Sequence, residues 1–287
     1  MKFLAGLLAL SVSASALAFS LPTGEFDALA VKSAPIRPEE APLFEGIVKL
    51  SNCSGSLIIF EGMPTSSKAL VMTNGHCLSL PGGFLKPGEV VVNRAVNRTM
   101  RVYDNSMKLH SIQATKIVYG TMTDTDVALY ELTQSYDQIQ NTTGVRPLLL
   151  AETRPVAGTK IDIASGYWDR NWACEIDGFV HALREGGWTF TDSIRYDQGC
   201  DTIGGTSGSP IIEHGQRVVI GINNTSNESG ERCTLNNPCE VDEAGRVVVV
   251  KQRSYGQQTY QIYGCVDANF KLDLALSSCT LPKPAAL

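Results

Sequence analysis

The sequence predicts an all-β protein built as two β-barrels, and three observations carry that prediction. Short runs rich in Val, Ile, Leu and Thr recur along the chain, each bounded by Gly, Pro, Asn or Ser. The runs fall into two sets, one ending near residue 140 and one beginning near residue 160. With 26 Gly and 13 Pro among 287 residues, the chain carries turn residues for many short strands. Its length suits an all-β domain of roughly 200–250 residues behind an N-terminal leader.

In chain order, residues 1–18 read as a signal peptide: Lys2 supplies the positive start, Phe3 to Ala16 is apolar and softened by serines, and Ala16-Leu17-Ala18 fits small-x-small cleavage. No later apolar run is long enough to cross a bilayer. The mature protein is therefore expected outside the cytoplasm, secreted or periplasmic, and free of membrane. Residues 19–44 hold Pro22, Pro35, Pro38 and Pro42 with little periodicity and read as a pro-segment or N-terminal arm, with Arg37 as a cut site. The first strand set is Ile47–Leu50, Gly55–Phe60, Ala69–Thr73, Glu89–Asn93, Met100–Tyr103, Ser111–Tyr119 and Val127–Leu132. The second is Lys160–Ala164, Thr189–Tyr196, Pro210–Glu213, Val218–Asn223 and Val247–Gln252. Pro64–Ser67, Pro81–Gly83 and Asn141–Gly144 are loops. The net charge of −5 gives no reason to expect a nucleic-acid or acidic-membrane partner.

One loop stands apart. In Gly204-Gly205-Thr206-Ser207-Gly208-Ser209-Pro210 a serine sits among small residues, which suits a hydroxyl held out on a tight turn with backbone N–H groups beside it. An acyl-transfer nucleophile needs that exposed oxygen and an oxyanion hole. Of the four histidines, His76 ends the apolar run Ala69–Met72 next to Cys77, whereas His110, His181 and His214 lie in no motif and read as surface or structural residues. Asp126 enters the apolar strand Val127–Leu132, where a buried carboxylate needs a partner. Asp124, two residues earlier and on the same strand face, is the rival acid. The order His76, Asp126, Ser207, with gaps of 50 and 81 residues, is one of the chain orders of a catalytic triad.

Four segments together resemble the trypsin-like (chymotrypsin-fold) serine proteases: Cys53-Ser54-Gly55-Ser56-Leu57-Ile58, Thr73-Asn74-Gly75-His76-Cys77, Asp126-Val127-Ala128-Leu129 and Gly205-Thr206-Ser207-Gly208-Ser209-Pro210. They span roughly residues 45 to 265. The resemblance implies two six-stranded antiparallel β-barrels, a first at about 45–145 and a second at about 146–265. It also implies a short C-terminal helix, here at Asp267–Leu276, and an active site between the barrels. It gives His76, Asp126 and Ser207 the triad roles, and the N–H groups of Gly205 and Ser207 the oxyanion hole. Thr206 stands where the animal digestive enzymes carry the aspartate that pairs with the new N-terminus. Zymogen activation in that form is thus not available, and the motif is nearer to bacterial secreted members.

Specificity is split. Asp201, six residues before Ser207, lies where trypsin-like members put the acid that selects Arg or Lys. Asp201-Thr202 also matches a pattern of glutamyl-specific members, but that branch uses a histidine where this chain has Asn223. The stretch Ile222–Ser226 is expected to pair with an extended substrate by β-addition.

Eight cysteines in an exported chain suggest four bridges, and neither CxxC pairs nor clustered histidines suggest a metal. The resemblance implies Cys53–Cys77, and Cys174–Cys200 would brace the loop leading to Ser207. The last four allow three pairings, of which the local ones, Cys233–Cys239 and Cys265–Cys279, are favoured. No cofactor is expected. The sequence therefore reads as a monomeric, secreted serine endopeptidase acting on protein or peptide substrates. The alternatives are a catalytically silent homologue that binds protein and an esterase with the same triad.

Overall fold

The computed structural model describes residues 44–285. The signal peptide, the arm and Arg37 lie outside the described residues. No helix among the described residues is long and apolar enough to cross a membrane.

The first barrel comprises β1 (Ile47–Lys49), β2 (Ser54–Ile59), β3 (Lys68–Thr73), β4 (Val90–Tyr103), β5 (Leu109–Thr121) and β6 (Val127–Ser135). Hydrogen bonding runs β1-β4-β5-β6-β3-β2 and closes through an antiparallel β1–β2 pair into a six-stranded ring. β2 and β3 are buried along almost their whole length, so they read as continuous apolar runs. The expected strands at Glu89–Asn93 and Met100–Tyr103 are one strand, β4, with a register shift between Ala95 and Arg98.

Helix α1 (Tyr136–Thr143) follows. The Ser135 side chain accepts from the Gln138 N–H, the Gln138 side chain reaches back to Ser135, and Gly144 ends the helix in the left-handed region. β7 (Leu148–Leu150) then pairs in parallel with β2 and with Val218–Val219 of the second barrel.

The second barrel comprises β8 (Lys160–Ser165), β9 (Arg170–Glu185), β10 (Trp188–Tyr196), β11 (Pro210–Glu213), β12 (Val218–Ser226) and, after β13 (Cys239–Val241) and β14 (Val247–Val248), β15 (Ser254–Gln258). The ring β12-β11-β8-β9-β10-β15 closes through β12–β15. Ile161, Ile163, Trp172, Ile176, Ile194, Tyr196, Ile211 and Ile220 pack together inside it. The β9–β10 hairpin runs far beyond the ring: its turn is covered by β13 on β9, and Phe190 bridges to Asp124 of the first barrel.

Two expectations are corrected. The closing strand is Ser254–Gln258, not Val247–Gln252; it is polar yet buried at every position. The helix expected at Asp267–Leu276 is a run of turns, and the helical turn lies earlier, as a 3₁₀ segment at Tyr260–Cys265. The side chain of Asp267 accepts the N–H groups of Asn269 and Lys271, and that of Asp273 accepts the N–H of Ala275. Such local bonds compete with a helix. All eight cysteines are bridged, as Cys53–Cys77, Cys174–Cys200, Cys233–Cys239 and Cys265–Cys279.

Glu45 is buried where the two barrels meet. Arg146 grips both its oxygens at 3.0 and 2.8 Å, and Arg217 lies 3.1 Å away. Burial by itself raises the carboxyl pKa, but the Arg146 hydrogen bonds and the Arg217 charge outweigh it and hold Glu45 below the ordinary glutamate range. A lowered folded pKa means stability that is present above the unfolded value of about 4.3 and is lost as pH falls through the folded value. Glu45→Gln should destabilise the protein by about 2 kcal/mol at neutral pH, less than a fully buried pair because Arg146 is more than half exposed. It should also flatten the acid side of the stability curve. Thermal melts of both proteins between pH 3 and 7 check this.

Candidate active site

His76 sits on a 3₁₀ turn, Gly75–Cys77, at the end of β3. The turn packs so closely on β5 that a Cβ on Gly75 would meet the Thr121 carbonyl oxygen at 2.0 Å. The Cys53–Cys77 bridge ties the next residue to the start of β2. Asp126 lies just before β6 and is 1% exposed. Its Oδ1 accepts the His76 backbone N–H at 3.1 Å and its Oδ2 lies 2.7 Å from His76 Nδ1. The Asn74 side chain donates to its carbonyl at 2.8 Å. Both carboxylate oxygens are thereby satisfied by one residue. Asp124 is exposed, bridged to Phe190, and does not pair with His76.

Burial of the imidazole disfavours its cation, but the charge and hydrogen bond of Asp126, helped by Glu185, more than offset this and raise the His76 pKa above the ordinary value.

Ser207 is carried on the loop between β10 and β11. Its carbonyl accepts the Ser54 N–H of β2 at 2.8 Å, which docks the loop on the first barrel. Gly208 makes the approach possible: it has φ +79°, and a Cβ there would meet the Ser54 oxygen at 2.2 Å. Ser207 Oγ donates to the Asn224 carbonyl at 3.3 Å. The N–H groups of Gly205 and Ser207 donate to nothing among the described residues.

His76, Asp126 and Ser207 line one cleft of about 560 Å³. Thr202 also lines it. Asp201 does not: it is exposed and lines an adjoining pocket of about 640 Å³ with Thr202, Gly204, Ser226 and Glu228. Asn223 lies behind the nucleophile loop, accepting from Tyr196 and donating to the Thr206 carbonyl and hydroxyl at 3.1 Å each. His110 pairs with Asp104 and His214 with Asp162, and neither lines the cleft. Thr225 and Ser226 face the cleft while pairing with β15 on their other side.

The cleft also has walls the sequence did not announce. Phe84 stands edge-on to His76 and to Trp188, each at 6.0 Å between ring centres. Trp188 is anchored by its N–H to the Leu85 carbonyl. Glu185, at the tip of the β9–β10 hairpin, is buried in the same wall. The only signal was Glu185-Gly186-Gly187-Trp188, a turn composition with no motif of its own.

The model of the trypsin-like peptidase domain family matches residues 53–222, more than half of the chain. The chain belongs to this trypsin-like peptidase family. Its two rings are the chymotrypsin-like double barrel. Solved structures similar to this member of the family include the MamO protease domain from Magnetospirillum magneticum, at 13% identity and TM-score 0.49 over 78% of this chain and 97% of that one. The Nocardiopsis protease matches at 13% identity and TM-score 0.43 over 75% and 92%. Neuropsin, a serine protease of mouse brain, matches at 14% and 0.40 over 77% and 91%. No curated protein sequence matches the chain.

If Asp126 sets the His76 pKa, Asp126→Asn should bring it down to or below the ordinary imidazole value near 6.5. NMR titration of the imidazole protons in both proteins reads this without any turnover; an unchanged midpoint would refute the assignment.

Proposed function

We propose that the protein is an exported serine endopeptidase in which Ser207 is the nucleophile, His76 the general base and Asp126 its orienting acid. The observation that carries the reading is the buried Asp126 carboxylate 2.7 Å from His76 Nδ1, in the cleft that Ser207 shares. A proton held on Nδ1 by Asp126 leaves Nε2 as the acceptor facing the cleft. Ser207 Oγ attacks the substrate carbonyl carbon as Nε2 takes its proton. The N–H groups of Gly205 and Ser207 hold the oxyanion. The imidazolium then protonates the departing amine, and water repeats the sequence to release the acyl group. The four bridges and the N-terminal leader support export.

Asp201 and Glu228 make the adjoining pocket acidic, which supports a preference for Arg or Lys on the acyl side of the cut bond. One observation favours the rival, a silent binding homologue: the Ser207 hydroxyl donates to Asn224, not to His76. Catalytic bonds are often loose before substrate arrives, and turning one side-chain torsion redirects the hydroxyl.

Digestion of a mixed peptide library, read by mass spectrometry, tests the reading. Cuts should follow Arg or Lys and vanish in Ser207→Ala; a folded, processed protein that makes no cuts would sink it. Asp201→Ser should lower selection for Arg and Lys over norleucine by about 10-fold or more. Because His76 must be neutral to act, kcat/KM should fall as pH drops through a value above about 6.5.

A further inference from the structure

Glu185 is not used by the mechanism above, and its surroundings give it little reason to be an acid. It is 7% exposed, its Oε1 accepts the Asn236 N–H at 2.8 Å, and the neighbouring Thr225 hydroxyl favours its ionised form. Among the described residues no Lys or Arg pairs with it. A glutamine would serve Asn236 and Thr225 as well, without the cost of a buried charge that lacks a cation. Burial pushes its carboxyl above the ordinary glutamate range; Asn236, Thr225 and His76 pull it only part of the way back.

The wall around it lacks a cation too. Besides His76, the charged side chains lining the catalytic cleft are Asp126, Glu185 and Glu228, all acids. Asp126 is spent on His76, so Glu185 is left as the buried carboxyl that lines the cleft. Phe84, 46% exposed, and Trp188 line the same cleft and pack edge to face at 6.0 Å between ring centres. An aromatic wall in the same cleft as a buried carboxyl suits a long aliphatic stem with a cationic head. The rings cover the methylenes and attract the charge, and the carboxylate takes the hydrogen bonds.

We propose that Glu185, with Phe84 and Trp188, forms a second specificity subsite that binds a Lys or Arg side chain of the substrate. It is distinct from the Asp201 pocket. Thr225 and Ser226, which line the same cleft as Glu185, belong to the edge expected to pair with the acyl part of an extended substrate. The selected residue therefore precedes the scissile bond by two or more positions. The natural substrates are then proteins with clustered basic residues before the cut. This specificity rests on the endopeptidase reading for cleavage, but not for binding.

The test separates the two. Peptides that differ only in Lys against norleucine, placed in turn at each of the second to fourth positions before an Arg, are titrated by calorimetry into the Ser207→Ala protein. The same peptides are titrated into Ser207→Ala carrying Glu185→Gln, which keeps the bond to Asn236. At one position Lys should bind about 30-fold more tightly than norleucine, and Glu185→Gln should erase most of that ratio. Glu185→Lys should favour a glutamate there, with circular dichroism and the thermal midpoint reporting that each variant is folded. Equal affinity for Lys and norleucine at every position, or a ratio that survives Glu185→Gln, overturns the subsite. Lys-dependent binding with no hydrolysis by the Ser207-bearing protein upholds the subsite and overturns the endopeptidase reading.

Discussion

The site depends on where one buried carboxylate finds its donors. Asp126 is almost wholly out of water, and an unpaired charge there would cost several kcal/mol. Both of its oxygens are answered by His76, one through the backbone N–H and one through the ring. That double contact fixes the peptide and the imidazole together, so the 3₁₀ turn and the ring orientation cannot vary independently. Asn74 closes the arrangement from the other side by donating to the Asp126 carbonyl. The raised His76 pKa is the electrostatic face of the same contact.

The second barrel is brought to this centre by contacts of small residues and their backbone. The Ser54 N–H donates to the Ser207 carbonyl, the Thr73 hydroxyl donates to the Ser54 carbonyl, and the Ser54 hydroxyl shares a hydrogen with Ser165 of β8. These residues are buried and small, and Gly208 leaves no side chain between the loop and β2. The nucleophile loop is thus registered on the strand that precedes the histidine turn. Asn223 holds the loop from behind through Thr206, which accounts for an amide at a position the sequence alone presented as substrate-facing.

Legibility followed how local each demand was. The histidine turn, the aspartate entering β6 and the glycine-flanked serine are dictated by neighbours within a few residues, and all were readable. So were most first-barrel strands, because β2 and β3 are apolar on both faces. What depended on distant partners was not readable. β9 was missed because exposed polar residues such as Glu175, His181 and Arg184 interrupt it, leaving no unbroken apolar run. β15 was displaced onto the valines at 247–250, since Ser254-Tyr255-Gly256-Gln257-Gln258 looks like a loop. It is buried because Gln257 bonds to Ser193 and Gln258 to the Asp192 carbonyl across the ring. Helix α1 did carry its own signals, Ser135, Gln138 and Gly144, but Asn141-Thr142-Thr143 obscured them. The expected C-terminal helix lost to Asp267 and Asp273, and its leucines at 272, 274 and 276 repeat every two residues, not every three to four.

Glu185 shows why specificity is harder to read than chemistry. Its place is set by no motif but by a stack of long-range pairings. β9 is long enough to carry it past the barrel, and β13 pairs along β9 opposite Leu183 and Arg184. The Gly186 N–H bonds to the Cys233 carbonyl, and the Cys233–Cys239 bridge closes the segment that supplies Asn236. On the other side Phe190 and Trp188 tie the hairpin to Asp124 and Leu85 of the first barrel. A side chain held by strand pairing, a bridge and two barrel contacts has little freedom to move toward solvent, so its charge must be met inside the cleft. The same pairings that make the acid costly to bury make it selective for whatever cation is presented to it.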